Sequence, residues 1–275
     1  MPEVAGDLDH DGAADVTVWV PGTGDWWTLL STRGYLEYTQ VTLGQAGDEP
    51  VPGDYAGTGQ QQRAVYRPST GQWLLADGRT LTLGAAGDVP APGDFDGDGT
   101  TDPAVFQGGQ WQVRTSSSGF STVVPYTLGQ AGDVPVVGDY DDDGTADLAV
   151  YRPTTGDWVV RTSSSGFTTG PSYWWGAAGD VAVPGDYDGD GQSDPAVYRP
   201  STGHWYVLTS SSGYADYQDF GWGAAEDVPV PGDYEADGKT DVAVYRPSTG
   251  QWFVWNYLYI NGWGSATDVP INGKK

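Results

Sequence analysis

The chain has 275 residues, among them 42 Gly, 19 Pro, 13 Trp and 17 Tyr, a composition that disfavours long helices and favours short strands joined by turns. The net charge of −25 at pH 7 argues against the basic face that nucleic acids and anionic membranes require, so we expect no nucleic-acid partner. No apolar run approaches the length of a membrane span, so we expect no membrane insertion. Cysteine is absent, so no disulfide holds the fold.

An internal repeat runs through the whole chain. A Gly-Asp-aromatic segment recurs at spacings of 47, 40, 45, 47 and 47 residues, starting from a variant at Gly6 and continuing at Gly53, Gly93, Gly138, Gly185 and Gly232. Each copy carries a Trp in register: Trp26, Trp73, Trp111, Trp158, Trp205 and Trp252. The period predicts a single domain over 1–275. Its repeats lie approximately at 1–48, 49–88, 89–133, 134–180, 181–227 and 228–275.

The fifth copy shows the predicted elements in chain order. Residues 181–187 read as a short strand that ends at an acidic loop, and 195–199 as a second strand rich in β-formers. A Pro-Ser-Thr-Gly turn leads into a third strand at 204–209. A Ser-Ser-Ser-Gly turn at 210–213 leads into a fourth. Four short antiparallel strands in about 45 residues predict the blade of a β-propeller.

The ends of the chain bear on how the ring closes. Residues 2–6 and residues 269–273 both align with the first strand of a blade. Pairing one terminus into the blade of the other would hide the last sheet edge. We therefore predict an all-β, six-bladed propeller of four-stranded antiparallel blades. The alternative is a truncated seven-bladed ring whose last repeat begins at the C-terminal stub.

Five copies contain an acidic loop of the form Asp-x-Asp-x-Asp-Gly-x-x-Asp, with one Glu allowed. We number its residues as loop positions 1 to 9 and predict metal ligation by the carboxylates at positions 1, 3, 5 and 9. These are Asp7, Asp9, Asp11, Asp15; Asp94, Asp96, Asp98, Asp102; Asp139, Asp141, Asp143, Asp147; Asp186, Asp188, Asp190, Asp194; and Asp233, Glu235, Asp237, Asp241. The backbone carbonyl at position 7 completes each set: Ala13, Thr100, Thr145, Gln192 and Lys239.

Calcium is the cation that this pattern favours, because it binds six to eight hard oxygen ligands with flexible geometry. Position 6 is always Gly, which permits the sharp turn that brings the carboxylates together. The loops are not EF-hands, since position 12 is a strand Val in place of Glu. Turn propensity alone would also enrich Asp and Gly, but it does not explain five recurrences of one spacing. The second copy keeps only Asp54 of the four carboxylates, so we expect about five Ca²⁺ and none in that loop.

The sequence Gly-Asp-Tyr-Asp-Gly-Asp-Gly, followed by Ala-Val-Tyr-Arg-Pro-Ser-Thr-Gly and Trp, resembles the FG-GAP or VCBS-type repeat of integrin-like propellers. The resemblance covers essentially the whole chain. It implies a calcium loop between the first two strands of each blade. It leaves activity open, because similar propellers include a sugar-binding lectin, bacterial surface modules and non-catalytic appendages of polysaccharide-degrading enzymes.

Two functions fit these features. The first is a calcium-stabilised, carbohydrate-binding module of a secreted bacterial protein, with Tyr173, Trp174, Trp255 and Tyr257 as irregular aromatic residues that could face a sugar. The alternative is a structural or protein-adhesion scaffold without a sugar ligand. Only two histidines are present and no catalytic triad can be assembled, so the sequence predicts that the chain is not an enzyme.

The predicted calcium sites also suggest a compartment. Loops of this kind fill at extracellular calcium levels, so we expect a secreted or cell-surface protein, although Met1 is followed by Pro-Glu-Val-Ala-Gly and not by a signal segment. The expected partner is a glycan or a surface protein, and the expected state is a monomer.

Overall fold

Strands make up nearly all of the regular structure in the computed structural model, which describes residues 6–272. Its 24 strands form six four-stranded sheets, and the protein is a six-bladed β-propeller with antiparallel blades, as predicted. Between residues 6 and 272 the only helical segments are two 3₁₀ turns, Ser31–Arg33 and Ser163–Ser165. Neither is long or apolar enough to cross a membrane.

The strands of the first three blades follow the predicted order. Blade 1 contains β1 (Val16–Val20), β2 (Asp25–Leu29), β3 (Tyr38–Thr42) and a strand from the other end of the chain, β24 (Val269–Pro270). Blade 2 contains β4 (Glu49–Pro50), β5 (Ala64–Arg67), β6 (Gln72–Leu75) and β7 (Thr80–Thr82). Blade 3 contains β8 (Val89–Pro90), β9 (Ala104–Gln107), β10 (Gln110–Arg114) and β11 (Val123–Thr127).

The other three blades repeat the same meander. Blade 4 contains β12 (Val134–Pro135), β13 (Leu148–Arg152), β14 (Asp157–Arg161) and β15 (Ser172–Trp174). Blade 5 contains β16 (Val181–Ala182), β17 (Ala196–Arg199), β18 (His204–Leu208) and β19 (Tyr217–Gly221). Blade 6 contains β20 (Val228–Pro229), β21 (Ala243–Arg246), β22 (Gln251–Val254) and β23 (Leu258–Ile260).

The C-terminal strand completes the first blade. β24 pairs antiparallel with β1, with Val269 opposite Trp19 and Pro270 opposite Val18. The Ile271 N–H extends this pairing by donating to the Thr17 carbonyl at 2.9 Å. The C-terminal stub therefore closes a six-bladed array and does not open a seventh repeat. The first strand predicted over 2–6 lies, apart from Gly6, outside the described residues.

Tertiary contacts divide the described chain into two compact units. One comprises 47–178 and 191–193 and contains blades 2, 3 and 4. The other comprises 6–46, 179–190 and 194–272 and contains blades 1, 5 and 6. That the chain forms one domain over 1–275 stays a prediction.

The six Trp in register lie in the core of their blades. All six are fully buried. In each blade the indole N–H donates, at 2.8–3.2 Å, to a backbone carbonyl at the end of the outermost strand. Burial of a large ring with its N–H satisfied stabilises the blade without leaving an unpaired donor.

A recurrent arginine fastens the first strand of four blades to the second. Each guanidinium binds the carboxylate that precedes the blade: Arg67 with Asp48, Arg152 with Asp133, Arg199 with Asp180, and Arg246 with Asp227. The four aspartates are 5–6% exposed. Where Gln107 or Val20 replaces the arginine, the corresponding Asp88 or Asp268 is only half-buried. The arginines therefore make structural contacts between strands.

Candidate metal centres

In blades 3 to 6 the acidic loops lie between the first and second strands, and in blade 1 the acidic loop precedes β1. In the loops of blades 3 to 6 the backbone closes through an antiparallel bridge between the residue before position 1 and position 9, as at Gly93 and Asp102. The glycine at position 6 has positive φ in all five loops, between 81° and 95°. An L side chain adopts that conformation only at a cost, so the predicted reason for glycine at this position is confirmed.

The carboxylate at position 1 organises the turn. Asp94 accepts hydrogen bonds from the N–H groups of Gly97 (2.8 Å), Asp98 (3.2 Å) and Gly99 (2.8 Å). The same pattern recurs at Asp7 and Asp139. These bonds explain why the first Asp survives in the second copy, where the other three carboxylates are absent.

The carboxylate at position 9 is the most buried member of the sets in blades 1, 3, 4 and 5. Asp15, Asp102, Asp147 and Asp194 are 0–3% exposed. Burial, partly offset by backbone hydrogen bonds, raises the pKa of Asp102 to about 7 and that of the other three to about 6. A neighbouring carboxylate raises each pKa further. A bound cation would reverse this effect, because it favours the ionised form.

Four of the five predicted loops bring their carboxylates together. Oxygens from positions 1, 3 and 9 lie within 4.8 Å of one another in each of these sets: Asp7, Asp9, Asp15; Asp94, Asp96, Asp102; Asp139, Asp141, Asp147; and Asp186, Asp188, Asp194. Positions 5 and 7 face the same place in the third blade. There the Ser116 hydroxyl lies 3.0 Å from the Asp98 carboxylate and 3.4 Å from the Thr100 carbonyl.

Two of these loops contain a buried oxygen without a partner. The Oδ1 atoms of Asp141 and Asp188, both at position 3, are buried and accept no hydrogen bond. Each belongs to a set of three converging carboxylates. A buried carboxylate oxygen without a donor is costly, and a hard divalent cation is the group that would satisfy it. The residues present therefore fit the calcium that the sequence predicts.

The loop of the sixth blade differs from these four. Among the described residues, Asp233, Glu235 and Asp241 do not form a comparable cluster. Glu235 and Asp237 are exposed. The Asp233 carboxylate is held by the N–H groups of Asp237 (3.1 Å) and Gly238 (2.9 Å). The sequence therefore provides this loop with the predicted carboxylates, and burial together with Glu235, Asp233 and Asp237 raises the pKa of Asp241, but these carboxylates lie less close together than those of the other four loops.

The second loop forms the same turn with different chemistry. Asp54 accepts from the N–H groups of Ala56 and Gly59, and the bridge between Gly53 and Gln62 is retained. The hairpin of this blade places Arg79 against the loop, with its guanidinium donating to the Tyr55 carbonyl at 2.6 Å. A fixed positive charge thus lies at the one loop that lacks the carboxylates.

Sequence reasoning missed a second segment that contacts the acidic loops. The turns between the third and fourth strands in blades 1, 3, 4 and 5 begin with two hydroxyl residues. We call them the hydroxyl turns: 31–34, 116–119, 163–166 and 210–213. In each, the first hydroxyl donates to the position 5 carboxylate at 2.8–3.0 Å. Their recurrence was visible as Ser-Ser-Ser-Gly, but the sequence did not indicate what they contact.

Most exposed aromatic residues lie on the outer strands. Trp174 is 83% and Tyr257 is 49% exposed, as the sequence suggested, whereas Tyr173 and Trp255 are half-buried. Trp255 packs edge-on against Trp222, with ring centroids 5.2 Å apart. It therefore belongs to the packing between blades 5 and 6.

A groove of about 510 Å³ lies beside these outer strands of blades 5 and 6. We call it the aromatic groove; it is lined by Trp222, Phe253, Val254, Asn256, Tyr257, Leu258 and Tyr259. The rings of Phe253 and Tyr259 lie 5.2 Å apart. The Tyr259 hydroxyl accepts from the Gln251 side chain at 2.7 Å. The groove thus combines apolar ring faces with polar groups.

Comparison with known proteins identifies structures of the same fold. No family model and no curated protein matches the chain. A lectin from Agrocybe aegerita that recognises non-reducing terminal N-acetylglucosamine is similar at 15% identity and a TM-score of 0.60, over 94% of this chain and 76% of that one. A streptogramin B lyase is similar at 15% identity and a TM-score of 0.51, over 82% of this chain and 70% of that one. BBS1N, solved in complex with ARL6DN, is similar at 11% identity and a TM-score of 0.52, over 93% of this chain and 79% of that one.

At these identities the likeness shows the fold alone. Fold and site together define a β-propeller whose loops contain candidate metal centres.

The prediction that the chain is not an enzyme is contradicted, because lyases share this propeller fold. Motif searching along the sequence cannot exclude catalysis, since tertiary structure pairs residues that are distant in the chain. His204 is an example. Its Nδ1 atom lies 2.7 Å from the Asp219 carboxylate on the adjacent strand, a pairing that sequence neighbours did not reveal.

Proposed function

We propose that the protein is a calcium-stabilised propeller of the FG-GAP or VCBS type. The observation that supports it best is the buried, unpartnered Oδ1 of Asp141 and Asp188, each within a set of three converging carboxylates. Calcium supplies the positive charge that these oxygens lack and binds six to eight oxygens. The chain's own residues hold the turn, exclude water at position 9 and keep the carboxylates close together.

Calcium uptake and thermal stability test this proposal directly. Calorimetric titration of the metal-free protein is expected to show calcium binding, and EDTA is expected to lower the melting temperature. Each filled site stabilises the folded state by about 2.7 kcal/mol when calcium is 100-fold above its dissociation constant. An unchanged melting curve in excess EDTA contradicts the proposal.

Two matched variants locate the metal. Asp94→Asn removes a position 1 carboxylate from an assembled loop, and Asp54→Asn makes the same change in the loop that lacks the other three carboxylates. We expect Asp94→Asn to lose one equivalent of calcium and Asp54→Asn to lose none. Equal calcium uptake by both variants contradicts the assignment of the third loop.

We further propose that the ligand is a carbohydrate and that it binds at the aromatic groove. Sugar rings present C–H faces that pack on aromatic rings, while side-chain amides and hydroxyls orient the sugar hydroxyls. The groove offers Tyr257 and Tyr259, which are 49% and 55% exposed, beside the Asn256 amide. The lectin with the same fold adds support at the level of architecture.

A glycan array in the presence of calcium tests the ligand. Saturable binding to one sugar class is expected, and Tyr259→Ala is expected to weaken it at least tenfold, as for the loss of a stacked ring at a binding centre. Tyr217→Ala is the matched control, because Tyr217 is 60% exposed on β19 and does not line the groove. No binding to any sugar class favours the alternative, a scaffold that adheres to proteins.

The proposed calcium sites also suggest an extracellular location. Extracellular calcium modules bind with dissociation constants of about 10⁻⁴–10⁻³ M. A measured constant in that range supports a secreted or surface-exposed protein. A constant below about 10⁻⁶ M would instead fit sites that fill in cytosol.

A further inference from the structure

The hydroxyl turns make the same contacts in all four blades that contain them. Their first N–H donates to Oδ1 of the position 9 carboxylate at 2.6–2.8 Å. Their second hydroxyl donates to Oδ2 of the position 3 carboxylate, as Ser117 does to Asp96 and Ser211 does to Asp188. Thr32 does so to Asp9, and Ser164 to Asp141. Each turn therefore contacts three of the four carboxylates that lie about 20 residues earlier in the chain.

In blades 4 and 5 this contact divides the two oxygens of the position 3 carboxylate between two roles, whereas in blades 1 and 3 the first hydroxyl of the turn lies 3.4 Å from Oδ1 of Asp9 and Asp96. In blade 5, Oδ2 of Asp188 accepts from the hydroxyl and the N–H of Ser211 at 2.7 and 3.2 Å. Oδ1 of the same carboxylate is buried and has no donor. In blade 4, Asp141 has the same division between Ser164 and an unpartnered Oδ1. In these two blades the turn holds Oδ2 of the carboxylate and leaves Oδ1 for a cation.

The sixth blade provides the natural comparison. It has the carboxylates Asp233, Glu235, Asp237 and Asp241, but Asn256, Tyr257 and Leu258 follow its third strand where the other blades have a hydroxyl turn. The Tyr257 N–H donates to Val254 and not to a loop carboxylate. Within the described residues its carboxylates do not form a set of three whose oxygens lie within 4.8 Å of one another. The carboxylates are therefore clustered in the blades that have both the acidic motif and a hydroxyl turn, and not in the blade that has the acidic motif alone.

We propose that the hydroxyl turns are the second half of each calcium site and that Thr32, Ser117, Ser164 and Ser211 are its positioning residues. The inference rests on the proposed calcium binding and adds that four loops, in blades 1, 3, 4 and 5, bind tightly, whereas the loop of blade 6 binds weakly. Residues that orient metal ligands typically change affinity 10- to 100-fold when they are removed.

Serine variants test the inference. The triple variant Ser117→Ala, Ser164→Ala, Ser211→Ala is expected to weaken calcium binding at three sites by about 10- to 100-fold in calorimetric titration. The matching Thr variants are expected to keep the wild-type affinity, because Thr32 makes the same contact in blade 1. Wild-type affinity in the Ala variant overturns the inference. No calcium uptake by the wild type overturns the calcium proposal itself, and the inference with it.

The matched control makes the same Ser→Ala change at the next residue of each turn. Ser118, Ser165 and Ser212 donate to backbone carbonyls within their own turns, at 2.7–2.8 Å. Their replacement by Ala therefore perturbs the turn without removing a bond to a carboxylate, and calcium affinity is expected to stay at the wild-type value. A loss of affinity equal to that of the first triple variant overturns the positioning role.

Hydrogen exchange of the unmodified protein gives an independent test that needs no variant. Calcium is expected to slow amide exchange at the hydroxyl turns together with the acidic loops of blades 1, 3, 4 and 5. It is expected to leave 256–258 in blade 6 and 76–79 in blade 2 unchanged. Protection of the acidic loops without protection of the hydroxyl turns overturns the inference, even if the serine variants fail to fold.

Discussion

Replacement of Arg152 by Met isolates the contribution of one recurrent ion pair. The Asp133 side chain is 1% exposed and receives two guanidinium bonds of 2.9 Å from Arg152. Arg152→Met removes both guanidinium bonds, and the buried Asp133 carboxylate keeps the hydrogen bond from the backbone N–H of Gln130 at 3.0 Å. Leaving one charge of a buried pair without its partner costs about 3–5 kcal/mol. We expect about 3 kcal/mol, the lower end, because the Arg152 side chain is 24% exposed.

The assay is thermal and urea unfolding in saturating calcium. In a protein of this size about 3 kcal/mol corresponds to a melting temperature lowered by roughly 6–12 °C. The double variant Arg152→Met with Asp133→Asn is expected to recover much of the loss, because no charge stays buried. Arg33→Met is the matched control, since Arg33 and Glu37 are 61% and 68% exposed, and such pairs contribute about 0–1 kcal/mol. A double variant as unstable as the single one refutes the reasoning.

Three further predictions follow from burial, strand pairing and charge. Trp158→Ala, at a fully buried indole, is expected to cost about 3–5 kcal/mol in urea unfolding, whereas Trp174→Ala, at an indole 83% exposed, stays within about 0.5 kcal/mol. Deletion of 269–275 removes β24, one of the two strands paired with β1, so amide exchange over Val16–Val20 is expected to speed up, whereas exchange over Ala196–Arg199 in blade 5 is expected to stay unchanged. In EDTA the melting temperature is expected to rise as the pH falls from 8 to 5.5. The raised pKa of the buried position 9 carboxyls, about 7 at Asp102, means that the folded state binds more protons than the unfolded state in this range. Saturating calcium is expected to remove that rise, because the metal binds the ionised form.

The fold could be predicted from the sequence because the repeat places the same elements six times. The glycine at position 6 recurs because the turn needs a positive φ, and the Trp of the third strand recurs because it is buried in every blade. The C-terminal strand was ambiguous, since 269–273 could begin a repeat or end one. Only its pairing with Trp19 and Val18 decides between the two.

The candidate metal centres were predicted only in part. Positions 1, 3 and 9 are close in the chain, so their convergence could be read from spacing. The contribution of Ser117 or Ser211 could not be read from spacing, because these serines lie on a hairpin that returns to the acidic loop about 20 residues later in the chain. For the same reason the acidic motif at Asp233 suggested an equivalent fifth site, although its carboxylates lie less close together than those of the other four loops. The enzyme question could not be answered from motifs, as the pairing of His204 with Asp219 shows.

Neighbouring acidic loops are also joined through their backbones. The N–H of Ala146, at position 8 of the fourth loop, donates to the carbonyl of Asp94, at position 1 of the third, at 2.7 Å. Ordering of one loop by a cation therefore lowers the entropy cost of ordering the next. We expect the sites of blades 3 and 4 to fill with positive cooperativity, so that the protein responds to a narrower range of calcium concentration than independent loops would.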